Sequence, residues 1–185
     1  MKKFSGVAAA CLMALAGVAF AADALESGLP VGDGPVPAFN VRDITGPNKD
    51  KTLCYRCQYG ARPVVTVFTR ELTDNVKDLV KKIDAKVGEN KEKKMAAFVV
   101  VLTEDPDAVE PQIEALAKDA KIVNTPLTII EGSAGPEDYK LSKDAEVTVM
   151  MWVDETVKVN QAFARGKLDK KAVEALVGET KKILQ

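Results

Sequence analysis

The chain has 185 residues, 29% of them charged with the two signs nearly balanced, a formal charge of −1 and no histidine. The missing imidazole excludes histidine-based triads, histidine-containing metal motifs and haem attachment through Cys-x-x-Cys-His. Lysines alternate with acids instead of gathering into a basic face, which argues against a nucleic-acid partner.

Residues 1–21 read as an export signal. Lys2 and Lys3 precede an apolar run from Val7 to Phe20, and Ala19-Phe20-Ala21 has the small-x-small pattern of a cleavage site before Ala22. A spanning helix needs roughly 20 apolar residues, so no membrane segment is expected after cleavage. Ala8-Ala9-Ala10-Cys11 is loosely compatible with lipid attachment, but cleavage there leaves almost no apolar region ahead of the cysteine. Removing the signal leaves 164 residues, room for one domain with a hydrophobic core, and the loss of Lys2 and Lys3 takes the charge from −1 to −3. Only Cys54 and Cys57 then remain, in a periplasmic or secreted setting where disulfides persist.

Residues 22–35 form a lead that Gly28, Pro30, Gly32, Gly34 and Pro35 keep irregular, ahead of a domain spanning 36–185. Val36 to Asp43 fits a short edge strand with Pro37 at its margin. Ile44 to Ala61 reads as a long loop containing Gly46-Pro47 and the cysteine pair. Pro63 to Thr69 is rich in β-branched residues without strict alternation, the mark of a strand covered on both faces. A helix then begins at Thr73 or Asp74, with Val76, Leu79, Val80, Ile83 and Val87 on its inner stripe.

Met95 to Leu102 is a second apolar strand. Asp105-Pro106 opens a helix running to about Lys121, with Val109, Ile113, Leu116 and Ala120 inward. Leu127 to Glu131 is a short third core strand, reached through Pro126. Glu146 to Val153 and Thr156 to Phe163 flank Asp154-Glu155 as a hairpin at the far edge, and Leu168 to Leu184 closes the chain as a helix. The expected fold is α/β, a central mixed sheet flanked by helices on both faces, with parallel core strands joined by right-handed crossovers.

This order resembles the thioredoxin-like superfamily, and within it the exported redoxin or peroxiredoxin-like branch. Pro35-Val36-Pro37 with Phe39, Asp43 and Gly46 resembles the opening of peroxiredoxins and related membrane-side reductases; Arg62 to Phe68 resembles their first core strand, and Ala145 to Phe163 their late hairpin. Thioredoxins place Cys-x-x-Cys after that first strand, at a helix N-terminus, and peroxiredoxins place Thr-x-x-Cys there. Here Thr69-Arg70-Glu71-Leu72-Thr73-Asp74-Asn75 fills the stretch. The expectation is therefore a redoxin that lacks the usual active-site cysteine position. Pro126, after Asn124-Thr125, matches the family's cis-proline loop as one of two placements, the other being Ala145-Glu146-Val147.

The candidate catalytic residues are Cys54 and Cys57. Exchange of disulfides needs an exposed sulfur and a stabilised thiolate, and Arg56 between the two cysteines is the candidate cation. Arg70 and Thr73, at a strand end and helix start, are supporting candidates beside Pro126; an arginine there can hold an anion, or the stretch is an ordinary capped helix start. Three fates remain open for the pair: a structural disulfide, an exchange-active one, or part of a metal site completed by carboxylates or a partner chain. Peroxide reduction would require a cysteine in the crevice beside Arg70. Tyr55 and Tyr59 read as loop anchors and Trp152 as core. No cofactor motif is present. The functional expectation is an exported thioredoxin-like protein exchanging disulfides with a thiol-bearing protein partner; the alternative is a non-catalytic extracytoplasmic scaffold pinned by a structural disulfide.

Overall fold

Every residue of the strand Val64–Thr69 is buried, and the rest of the sheet is laid out around it. The computed structural model describes residues 25–185, so the export signal and Cys11 lie outside the described residues. In chain order the elements are β1 (Val41–Asp43), β2 (Thr52–Leu53), α1 (Tyr55–Tyr59), β3 (Val64–Thr69), α2 (Asp74–Glu89) and β4 (Ala96–Thr103). They continue with α3 (Pro106–Asp119), β5 (Leu127–Glu131), β6 (Ala145–Val153), β7 (Thr156–Ala164) and α4 (Lys170–Glu179), with short 3-10 turns at Glu137–Tyr139 and Thr180–Ile183.

The seven strands form one sheet in the order β2-β1-β5-β4-β3-β6-β7. β3, β4 and β5 are parallel, Val67 facing Val99 and Val101 facing Ile129, as right-handed crossovers through α2 and α3 require. β6 runs antiparallel to β3 and turns through Asp154-Glu155 into β7 at the far edge. This is the expected mixed α/β sheet of thioredoxin-like type. Among the described residues no helix is long and apolar enough to cross a membrane.

Strand alternation divides the core in two. Val65, Val67, Ala97, Val99 and Val101 face one side, where α2, α3 and α4 bring Val76, Leu79, Val80, Ile83, Ile113, Leu116, Val173 and Leu176. Asp84, buried on α2, fastens the link before β5 by accepting from Val123 N at 3.2 Å and Asn124 N at 2.7 Å. Val64, Phe68, Phe98, Val100, Met150 and Trp152 face the other side. Among the described residues only the five-residue α1 brings an α-helix there; Leu29 and Val36 from irregular chain, Val41 from β1 and Tyr139 from a 3-10 turn add to the cover.

The expected edge strand Val36–Asp43 is corrected in two respects. Only Val41–Asp43 joins the sheet, and β2 pairs outside it, Val41 with Leu53, so β1 is second from the edge. Residues 36–40 instead cross the second face, where Phe39 packs against Phe68, Phe98 and Tyr139. The loop 44–61 likewise contains β2 and α1.

Phe98 touches Phe39, Tyr55, Tyr59 and Trp152, joining the sheet to α1. Phe98→Ala is expected to lower unfolding free energy by about 3–5 kcal/mol in urea denaturation, while Val123→Ala, at a side chain 81% exposed, stays within about 0.5 kcal/mol.

Candidate functional site

The cysteine loop folds back over the sheet because both its ends are tied down. Leu53 is held by its pairing with Val41, and Tyr55 inserts into the aromatic cluster against Phe98 and Tyr59. Between them Cys54 takes extended backbone (φ −108°, ψ 99°) and becomes the N-cap of α1. Its Sγ accepts a hydrogen bond from Cys57 N at 3.0 Å, and its carbonyl accepts from Gln58 N. Cys54 and Cys57 are joined as a disulfide, with Cα atoms 5.2 Å apart. Cys57 is exposed and Cys54 half-buried. Gly60, at φ 54°, ends α1 in a conformation that L side chains rarely adopt.

This overturns the expectation that the active-site cysteine position is lacking. A Cys-x-x-Cys disulfide closing the N-terminus of a helix is the setting of a thioredoxin active site, and the chain supplies it on α1. The sequence order, cysteines and then β3, suggested a loop hanging beyond the start of the strand. β2 prevents that by turning the loop back onto the second face.

The anchor beneath the pair is a buried hydrogen-bond group. Tyr55 donates its hydroxyl to Asp43 Oδ2 at 2.6 Å, and the same carboxylate accepts from Gly46 N at 2.7 Å and Asn48 N at 2.9 Å. A side chain at Gly46 would put a carbon 2.6 Å from both Asp43 Oδ2 and the Tyr55 hydroxyl, so this close approach needs glycine. Burial, helped by the Asp43 hydrogen bond, raises the Tyr55 phenol above its ordinary pKa. Burial raises Tyr59 too, whose ring lies 5.1 Å from the Arg62 guanidinium. Both tyrosines are therefore neutral donors and packing groups at physiological pH, the anchoring role expected of them.

Arg56 is tied elsewhere. Its Nε donates to Val36 O, and its Nη2 lies 3.0 Å from Glu155 Oε2 in the β6–β7 turn. The guanidinium thus fastens α1 to the lead and the hairpin. Arg70 gives its two terminal nitrogens to backbone carbonyls, Ala145 O and Ser133 O at 2.9 Å, and burial lowers its pKa from the usual guanidinium value. Thr73 is the N-cap of α2, accepting from Val76 N at 3.4 Å. These bonds clasp the β5–β6 connection and start a helix; none runs to the cysteine helix.

Pro126 immediately precedes β5, its carbonyl accepting from Val99 N, and it lines a cleft of about 460 Å³ with Tyr59, Pro47 and Val123. Its peptide bond is trans; Gly34–Pro35 is the only cis bond among the described residues. The structure therefore brings Cys54, Cys57 and Arg56 together on α1, sets Pro126 beside the end of that helix, and places Arg70 and Thr73 in a separate structural clasp. Asp43, Gly46 and Glu155 were missed as parts of the site. Asp43 and Gly46 stood out only through the family resemblance, and no spacing linked them to Tyr55. Among the described residues no group of three or more acids and cysteines could hold a metal.

No family model and no curated protein matches the sequence. Solved structures do. A candidate thiol:disulfide interchange protein DsbE from Chlorobium tepidum superposes with a TM-score of 0.63 at 15% identity, covering 85% of this chain and 99% of the other. A candidate protein disulfide isomerase from Bacteroides thetaiotaomicron gives 0.62 at 16%, over 86% and 94%. The yeast mitochondrial 1-Cys peroxiredoxin gives 0.56 at 13%, over 80% and 73%. At these identities the likeness is one of fold, and it agrees with the thioredoxin-like sheet described above.

Tyr55→Phe removes one of three donors from a buried carboxylate. It is expected to cost about 1–3 kcal/mol in denaturant unfolding monitored by fluorescence, with the disulfide still formed by mass.

Proposed function

We propose that the protein exchanges disulfides with thiol-bearing protein partners after export, using the Cys54–Cys57 pair. The observation that carries this reading is a closed Cys-x-x-Cys disulfide at the head of α1 with Cys57 at the surface. Exchange needs a reachable sulfur and a donor to the departing thiolate, and the pair has both in Cys57 and in the N–H that points at Cys54 Sγ.

The support under the pair favours chemistry over bracing. α1 is held by the Leu53–Val41 pairing, the Tyr55–Asp43 bond and the Arg56 contacts to Val36 and Glu155, none of which uses a sulfur. A disulfide between residues three apart constrains little of the unfolded chain, about 2 kcal/mol at most. The bond can then open and close while the helix stays in place. Peroxide reduction is the poorer reading, because the Arg70 guanidinium beside which a cysteine would be needed is taken up by Ala145 and Ser133 carbonyls. The likeness to a candidate disulfide isomerase and a candidate interchange protein is consistent with exchange and does not by itself assign it.

Exchange with a reduced dithiol protein, followed by loss of free thiols, is expected for the wild type. Cys54→Ser and Cys57→Ser should each fall at least about 100-fold, while their unfolding free energies drop by no more than about 2 kcal/mol. Undiminished exchange by a variant lacking both cysteines contradicts the proposal.

A further inference from the structure

We infer that a partner thiol opens the disulfide at Cys57, and that Cys54 is the sulfur that leaves; this rests on the exchange function proposed above. A thiolate attacks a disulfide along the S–S axis, so the sulfur it can reach takes the new bond. Cys57 is exposed and is followed by exposed Gln58. Cys54 is half-buried, confined between Leu53 in β2 and the fully packed Tyr55.

Leaving-group chemistry selects the same direction. The sulfur that carries negative charge more readily departs faster. Cys54 Sγ already accepts the Cys57 N–H at 3.0 Å, and a hydrogen bond to an anion is stronger than one to a neutral sulfur. Among the described residues Cys57 Sγ accepts no such bond. Cys54 also stays put when the bond breaks, since its neighbours are fixed by a strand pairing and a buried tyrosine.

The partner thiolate attacks Cys57 Sγ; the partner–Cys57 disulfide forms while the Cys54–Cys57 bond breaks, and the electron pair leaves on Cys54 Sγ. The partner's second thiolate then attacks its own sulfur in the mixed disulfide, releasing Cys57 as thiolate. The partner loses two electrons to become a disulfide, the protein's pair gains them, and the two protons shed by the partner's thiols balance those taken by Cys54 and Cys57. In the reverse direction Cys57 attacks a partner disulfide and Cys54 resolves the adduct.

The sequence allows a direct test, because trypsin cuts after Lys51, Arg56 and Arg70, the Arg62–Pro63 bond being resistant, and so separates Cys54, on 52–56, from Cys57, on 57–70. The oxidised protein is mixed with glutathione for seconds, quenched with acid, alkylated with N-ethylmaleimide and digested. Glutathione is expected on the Cys57 peptide and maleimide on the Cys54 peptide, with an excess of about tenfold over the opposite pattern. Adducts mainly on Cys54, or evenly divided, overturn the assignment and leave exchange standing. A disulfide that stays closed with no adduct on either peptide removes exchange and the assignment together. As an independent measurement, reduced Cys54→Ser should form its adduct with glutathione disulfide faster than reduced Cys57→Ser, and the opposite order contradicts the assignment.

Discussion

The sheet has to be buried on both faces, yet its three long helices lie on one. α2, α3 and α4 cover the side of Val65, Val67 and Val99, and the other side must be closed by short and irregular chain. Irregular backbone can be buried only if its polar groups find partners. Val36 N bonds to Glu155 O, Gly32 N to Val157 O, and Asn160 Nδ2 to the carbonyls of Ser27 and Leu29. Tyr139 and Arg56 reach the carbonyls of Pro37 and Val36. The aromatic cluster centred on Phe98 supplies the apolar part of the same cover.

The cysteine pair belongs to that cover, and its environment follows from it. One face of α1 is spent on burial through Tyr55, which leaves Cys57 on the outer side and Cys54 at the junction with β2. The Asp43 carboxylate fixes the helix from below through Tyr55 while holding the 46–48 turn through two backbone donors. Rigidity under the sulfurs and freedom at the sulfurs are thus supplied by different groups. Such a division suits a bond that is made and broken repeatedly, since neither redox state has to rebuild the scaffold.

Most of the architecture was legible because long elements repeat their pattern. The β-branched run of β3, the three- and four-residue spacing from Val76 to Val87, and the two apolar runs either side of Asp154-Glu155 each gave the right element in the right place. The site was legible only as two cysteines. β2 has two residues and α1 has five, too few for any period to register, and cysteine is not among the usual N-cap residues. The bond from Asp43 to Tyr55 joins two elements through a turn whose path depends on Gly46 having no side chain. Without these details the order of cysteines and β3 pointed to a displaced pair and a missing active-site position; the fold-back of β2 and α1 is what reverses that conclusion. Arg56 and Arg70 stood out in the sequence by charge alone, and their partners, backbone carbonyls for both and a hairpin carboxylate for Arg56, lie too far along the chain for spacing to reveal.

For exchange to occur, the Cys54–Cys57 bond has to be one that thiols can open and close in the folded protein. Equilibration of the intact chain with glutathione redox buffers, read by the fraction of the pair that is reduced, measures this directly. A potential above about −300 mV, with both forms folded, is the predicted result. A pair that stays fully oxidised below that value, and opens only when the protein is unfolded, would make it a structural link and contradict the account.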